Sequence, residues 1–274
     1  MAGPVPGKLA ISLGDVEAAA ARIAGEANLT PVLTSRTMDK LSGRELFFKC
    51  ELFQRMGAFK FRGALNAIRQ LDPSIKTVIT HSSGNHAQAI ALAASIEGLT
   101  AHVVMPSNSP ACKVAAVKDY GATITMCDPT KRVEVAAQVE KETAAACQIG
   151  SYNHPHVMAG QGTVGLELMQ QVSDLDAIIV PVGGGGLISG IATAAKGLNP
   201  RIKIIGAEPA NADDAARSKD ARERVLNDGV PDTVADGLRT SLGTLTWPVV
   251  EALVDEIVTV SEEEIVSAMR LVWE

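Results

Sequence analysis

Short apolar runs alternate with alanine-rich helical runs through most of this chain, and that alternation admits few folds. The apolar runs are Leu46–Cys50, Thr77–Thr80, Ala101–Met105, Ala122–Met126, Ala177–Pro181, Lys203–Gly206 and Glu256–Val260. Most are continuously apolar, as strands of a parallel sheet covered on both faces are. Between them the spacing predicts helices over Phe61–Leu71, His86–Glu97, Arg132–Ala146, Thr163–Val172 and Leu187–Lys196. Strand, loop and helix in repeated order imply βαβ units and an open, doubly wound sheet. In such sheets ligands bind at the carboxyl ends of strands, in the loops that lead into helices. Near the carboxyl end, Ser261-Glu262-Glu263-Glu264 reads as a helix start, with acids near the helix's positive end. That helix runs over Ile265–Trp273 and meets Glu274 with no stop signal, so the chain reads as cut inside a helix.

Size and charge narrow the function classes. The 274 residues are enough for one large domain or two modest ones. Hydrophobic residues make up 46%, yet no apolar stretch reaches the roughly 18 residues that cross a bilayer. The opening Met1–Lys8 lacks a charged and then apolar export pattern, so a cytoplasmic location is expected. The net charge is -6, with lysine and arginine spread along the chain. Nucleic acid as the main partner is therefore not expected, because phosphate binding needs a concentrated basic face. The cysteines, Cys50, Cys112, Cys127 and Cys147, form no CxxC pair and read as free thiols. His154 and His156 alternate around Pro155, but two ligands do not close a metal site.

Three short motifs carry the chemistry. In Gly57-Ala58-Phe59-Lys60-Phe61-Arg62-Gly63 a lysine stands between two phenylalanines, and all five phenylalanines of the chain lie between Phe47 and Phe61. A lysine held among apolar groups loses hydration, which favours the neutral, nucleophilic amine. Ser82-Ser83-Gly84-Asn85-His86 and Gly183-Gly184-Gly185-Gly186-Leu187 each follow a strand and precede a helix. The glycine run fits neither GxGxxG nor GxxxxGK[ST], so a dinucleotide fold or P-loop is poorly supported. It does let backbone amides converge on an anion at a helix start. A nucleophilic amine with an anion cradle points to a phosphate-bearing aldehyde, of which pyridoxal phosphate is the common one.

Each motif taken singly has a plainer reading. Lys60 also fits a surface lysine whose stem covers apolar neighbours. Ser83 fits a helix cap, and His86 a satisfied helix-terminal histidine. The glycine run fits a permissive turn, although four glycines in a row cost unfolded-chain entropy.

With these runs in view the chain resembles the serine/threonine dehydratase and serine racemase family of fold type II pyridoxal phosphate enzymes. The resemblance runs from Leu29-Thr30-Pro31 to Trp273-Glu274. Ala207–Asp214 and Ala235–Gly243 place it nearest the eukaryotic-type serine racemase branch. It implies two open, twisted, mostly parallel sheets flanked by helices. A large domain would comprise residues 1–75 and 150–274, incomplete at the carboxyl end, and a small domain residues 76–149. It implies that Lys60 carries the cofactor and works on one face of the substrate α-carbon, with Ser83 on the other. Phe59 would support the cofactor ring, Asn85 would bond its hydroxyl, and Gly183, Gly184, Gly185 and Gly186 would hold its phosphate. Ser82, Ser83, Gly84, Asn85 and His86, with Gly237, would bind substrate. Glu208, the Ala212 carbonyl and Asp214 would hold Mg²⁺, Mn²⁺ or Ca²⁺, all hard ions suited to oxygen ligands. Read without the resemblance, Asn211–Asp214 is a helix cap with first-turn acids. The implied activity is racemisation of serine with elimination to pyruvate and ammonia. The alternatives are a threonine or threo-hydroxyaspartate ammonia-lyase and a catalytically silent fragment. The implied partners are a small amino acid and a second copy of the chain. A nucleotide effector is known in some animal relatives, but no motif here speaks for one.

Overall fold

The computed structural model describes residues 9–273; the opening Met1–Lys8 and Glu274 lie outside it. Two parallel sheets organise the chain. The first uses β3 (Thr77–His81), β4 (Thr100–Pro106), β5 (Thr123–Cys127) and β6 (Ala146–Gln148) in the order β5-β4-β3-β6. The second uses β7 (Ala177–Pro181), β8 (Lys203–Pro209) and β9 (Glu256–Val260) in that order. Each register is parallel, with Ile79 opposite His102 in the first sheet and Ile179 opposite Ile205 in the second. A short antiparallel pair, β1 (Val32–Leu33) on β2 (Phe48–Lys49), lies apart from both.

Burial follows the position of each strand. The central β3, β4 and β8 bury most of their residues, as a strand covered on both faces must. Edge strands β5 and β9 are only half-buried, and β7, the other edge of its sheet, leaves Ile179 64% exposed. The expectation of strands covered on both faces therefore holds at the centres of the sheets and fails at their edges.

Helices α3 (Lys60–Ile68), α4 (Asn85–Ile96), α7 (Pro155–Gln171) and α8 (Gly186–Leu198) carry the two largest apolar cores. Helix α1 (Leu13–Ile23) packs on α7, and α10 (Trp247–Leu253) packs on α8; the short α2 (Arg36–Ser42) joins β1 to β2. One core packs Phe61, Leu65, Ile90, Val103, Met105 and Ile149. The other packs Ile178, Val180, Ile188, Ile191, Ile204 and Val250. Phe61 and Leu65 are fully buried, and each contributes roughly 1.5–3 kcal/mol by leaving water. Helix α7 touches both α3 and α8. Its approach to α8 is so close that a Cβ on Gly190 would lie 2.4 Å from the Gly162 amide nitrogen. The two phenylalanines beside Lys60 part company: Phe61 enters the first core, while Phe59 packs against the second. Lys60 thus begins its helix between the two cores.

Several elements differ from the sequence expectation. Leu46–Cys50 supplies only the two residues of β2, outside the parallel sheets. The helix expected over Arg132–Ala146 stops at Glu142 (α6, Arg132–Glu142). The chain then turns through Ala145 at φ 52° into β6. Helix α7 begins at Pro155, whose fixed φ suits a first helical position, well before the expected Thr163. The carboxyl helix is α11 (Glu262–Trp273), and its start is secured as expected: Ser261 Oγ accepts the Glu264 amide while Glu264 accepts the Ser261 amide. Among the described residues, no helix is long and apolar enough to cross a membrane.

Candidate active site

Three loops at the carboxyl ends of strands converge on the amino end of α3. Lys60 is the first residue of that helix. Its Nζ donates to the Ser151 carbonyl at 2.9 Å and lies 5.2 Å from the Phe59 ring centroid. The residue as a whole keeps partial exposure, but burial of its amine lowers the pKa from 10.5 to about 8. That answers the surface-lysine reading, since a snorkelling amine would stay hydrated.

The backbone that Lys60 contacts is itself held by the strand beside it. The Ile149 amide donates to the Ile79 carbonyl, and the Ile149 carbonyl accepts from Thr80 Oγ1 at 2.9 Å. His86 Nε2 also faces the Ile149 carbonyl, at 3.3 Å. Burial first, and then the Lys60 charge, lower the His86 pKa to about 3. His86 is therefore neutral, with Nε2 the protonated nitrogen and Nδ1 buried without a partner.

Ser82–His86 forms the loop from β3 into α4. The N-cap of α4 is Gly84, with no side-chain cap, so Ser83 does not take the capping role that its sequence allows. The first amides of α4 are left for an anion. Ser82 Oγ accepts the Gly84 amide at 3.3 Å, while Ser83 and Asn85 are both exposed.

The glycine run forms the loop from β7 into α8. Its N-cap, Gly185, sits at φ +85° and again supplies no side-chain cap. A Cβ on Gly184 would lie 2.4 Å from the Tyr152 ring, and one on Gly185 would lie 2.7 Å from Leu242 Cδ2. Packing alone thus demands small residues here, so the length of the run is not by itself a ligand signal. The anion reading rests instead on the uncapped amides at the start of α8. Thr246 Oγ1 fixes the loop by donating to the Gly184 carbonyl at 2.8 Å. Gly183 packs against the turn Asp236–Leu238, which places Gly237 beside the same loop.

The chain belongs to the pyridoxal-phosphate dependent enzyme family. Its family model matches residues 23–274. Serine racemase of Homo sapiens is 49% identical over 271 residues, covering 96% of this chain and 79% of the relative. The structure of maize serine racemase superposes with a TM-score of 0.94 at 49% identity, covering 97% of this chain and 81% of that one. A threonine deaminase from T.th. gives a TM-score of 0.93 at 44% identity, covering 96% of this chain and 86% of that one. This chain's residues fit the family's cofactor on three counts: a buried lysine with a lowered pKa, two uncapped helix starts, and a glycine cradle that side chains would fill.

The expected cation ligands lie in sequence at the carboxyl end of β8 and in the turn and helix that follow it. Glu208 is fully buried and accepts from the Ala216 amide at 2.7 Å and the Ala215 amide at 3.4 Å. Asp214 opens α9 (Asp214–Ala221) and accepts from Asn227 Nδ2 and the Leu242 amide. Burial, reinforced by Asp214, pushes the Glu208 pKa up to about 8, and burial raises that of Asp214. Two buried carboxylates that repel one another suit a hard cation. Ala212 is buried in the turn between them. No group of three histidine, cysteine or acidic side chains that could hold a metal occurs among the described residues. His154 and His156 stack at 5.5 Å as a pair only.

Four features escape sequence reasoning. Tyr152 lies across Gly184 and Gly186, and the Ser151 carbonyl receives Lys60. Lys113 on α5 (Ala111–Asp119) pairs with Asp236. Arg62 is fully buried, bonded to Glu51 at 2.8 Å and to Glu167 at 2.5 Å, with Lys49 on Glu167 at 2.6 Å. This ionic cluster ties α3 to α7 two residues past Lys60. Arg62 stood in the lysine motif, but nothing local in the sequence reveals its partners.

Proposed function

We propose that this chain interconverts L- and D-serine with pyridoxal phosphate and, in the same site, converts serine to pyruvate and ammonia. The observation that carries this reading is the Lys60 amine, whose burial lowers its pKa to about 8 and which donates to the Ser151 carbonyl. The similarity to serine racemases over nearly the whole chain supports serine as the substrate.

Bound pyridoxal phosphate supplies an electron sink for negative charge at the substrate α-carbon. The residues do the rest. Lys60 holds the cofactor and moves a proton to or from one face of that carbon; an amine with a pKa of about 8 can do both near neutral pH. Ser83, on the loop after β3, serves the opposite face. Inversion needs both groups, whereas loss of the β-hydroxyl as water needs only one. Phe59 supports the cofactor ring, Asn85 bonds its hydroxyl, and Gly183–Gly186 present amides to its phosphate. Ser82–His86, with Gly237, bind the substrate carboxylate. Glu208, the Ala212 carbonyl and Asp214 hold Mg²⁺, Mn²⁺ or Ca²⁺, which relieves the repulsion between the two buried acids. The enzyme works as a homodimer in the cytoplasm.

The test supplies the holoenzyme with L-serine and measures D-serine by chiral chromatography and pyruvate by coupled reduction. Both products are expected from the wild type. Ser83→Ala should lose D-serine formation and keep pyruvate formation from L-serine. Absence of D-serine together with rapid ammonia release from L-threonine would replace this reading with a threonine ammonia-lyase.

A further inference from the structure

Two buried ring nitrogens near Lys60 have no partner in the protein. They are His86 Nδ1 and His154 Nδ1, and buried polar atoms are almost always bonded to protein or to ordered water. His86 keeps Nε2 on the Ile149 carbonyl at 3.3 Å, which leaves Nδ1 as an acceptor turned elsewhere. His154 stands just before α7 and supplies no side-chain cap to it. Lys60 and His154 both lie within electrostatic reach of His86.

The row continues outward. The His154 ring lies 5.5 Å from that of His156. His156 is exposed and lines a cavity of about 110 Å³ together with Asp15, Arg22, Gln70 and Pro155. None of the residues lining this cavity belongs to the serine loop or the glycine loop. Three imidazoles thus lead from the lysine toward a second opening.

A racemase has a use for such a row. Lys60 takes a proton from the substrate and must return it, or trade it with water, while ligand fills the mouth of the site. Burial holds His86 and His154 neutral, so their rings accept hydrogen bonds from water and do not themselves carry the charge. Buried water settles where polar groups offer it partners, and the two lone nitrogens do so.

We propose that His86, His154 and His156 line a water-filled proton path between the Lys60 amine and this cavity, separate from the substrate mouth. The proposal rests on the serine reading above and gives that site a second route for protons. The Lys60 ammonium passes one proton to the first water, each water passes one to the next, and bulk water at His156 receives it. The return runs in reverse, and only N–H and O–H bonds are made and broken.

The test gives L-serine with deuterium at the α-carbon, in ordinary water, to the holoenzymes of the wild type, His154→Phe and His156→Ala. His154→Phe keeps a ring against His156 and removes no helix cap. Two initial rates are measured: gain of α-hydrogen in recovered L-serine, by mass spectrometry, and formation of D-serine, by chiral chromatography. The first requires Lys60 to trade its proton with water before returning it, whereas Ser83 supplies the new proton of D-serine. The ratio of exchange to D-serine formation should fall roughly tenfold or more in both variants. Imidazole in solution should restore it in His156→Ala and not in His154→Phe. A merely structural defect would lower both rates together, and an unchanged ratio with D-serine still formed would overturn the path and leave the serine reading standing. Independently of activity, a crystal structure of the cofactor-free wild type should show ordered water hydrogen-bonded to His86 Nδ1 and to His154 Nδ1; two dry nitrogens would overturn the path. Neither exchange nor D-serine from the wild type would overturn the serine reading and the path with it.

Discussion

Replacing Lys60 with methionine should stabilise the cofactor-free protein, and by an amount that depends on pH. Burial lowers the amine's pKa from 10.5 to about 8, so between these values the folded state binds fewer protons than the unfolded chain. Stability therefore rises with pH across that window, and the full cost is present below it. The gap corresponds to roughly 3 kcal/mol at pH 7, falling to roughly 2 kcal/mol at pH 9. Methionine removes that cost and keeps the apolar stem. It also loses the hydrogen bond to the Ser151 carbonyl, worth about 1 kcal/mol. Lys60→Met should thus be more stable by roughly 2 kcal/mol at pH 7 and about 1 kcal/mol at pH 9. Urea unfolding of both apoproteins at the two pH values measures this, and titrations elsewhere in the chain cancel in the comparison. A stability difference that does not change with pH would refute the claim that the Lys60 amine is desolvated.

Gly184→Ala sets a methyl carbon 2.4 Å from the Tyr152 ring, so the ring or the loop must move. Pyridoxal phosphate affinity, followed by fluorescence titration, should fall by about tenfold or more, and unchanged affinity would remove the glycine loop from the site. Arg62→Met leaves Glu51 and Glu167 facing each other without their shared cation, and should cost about 3–5 kcal/mol in urea unfolding. Mg²⁺ or Ca²⁺ should raise the Tm of the wild type and leave that of Glu208→Gln unmoved; equal shifts in both would place the cation elsewhere.

The parallel sheets were legible because their strands include continuous apolar runs, as in Val103–Met105 and Ile178–Val180. Strand β6 was hidden, since Ala146-Cys147-Gln148 continues an alanine-rich helical pattern and only the turn at Ala145 separates them. The first turns of α7 were hidden for the opposite reason: histidines, proline and glycines disguise a helix whose glycines let α3 and α8 approach. The site loops could be read because each joins a recognisable strand to a recognisable helix. Lys60 could be placed there and its loss of hydration read from the flanking phenylalanines, but its bond to the Ser151 backbone could not. Tyr152 on Gly184, Arg62 with Glu167, and Lys113 with Asp236 are all contacts between residues remote in sequence. No local pattern encodes them. The glycine run shows the same limit in reverse, since its length reflects packing against Tyr152 and Leu242 as much as ligand binding.

The most direct test is the visible absorption spectrum of the chain mixed with pyridoxal phosphate, recorded beside that of Lys60→Ala. A band in the visible that depends on Lys60 and shifts on adding L-serine is the expected result. A spectrum identical in the two proteins, with no response to L-serine, would contradict the assignment of Lys60 as the residue on which this site is built.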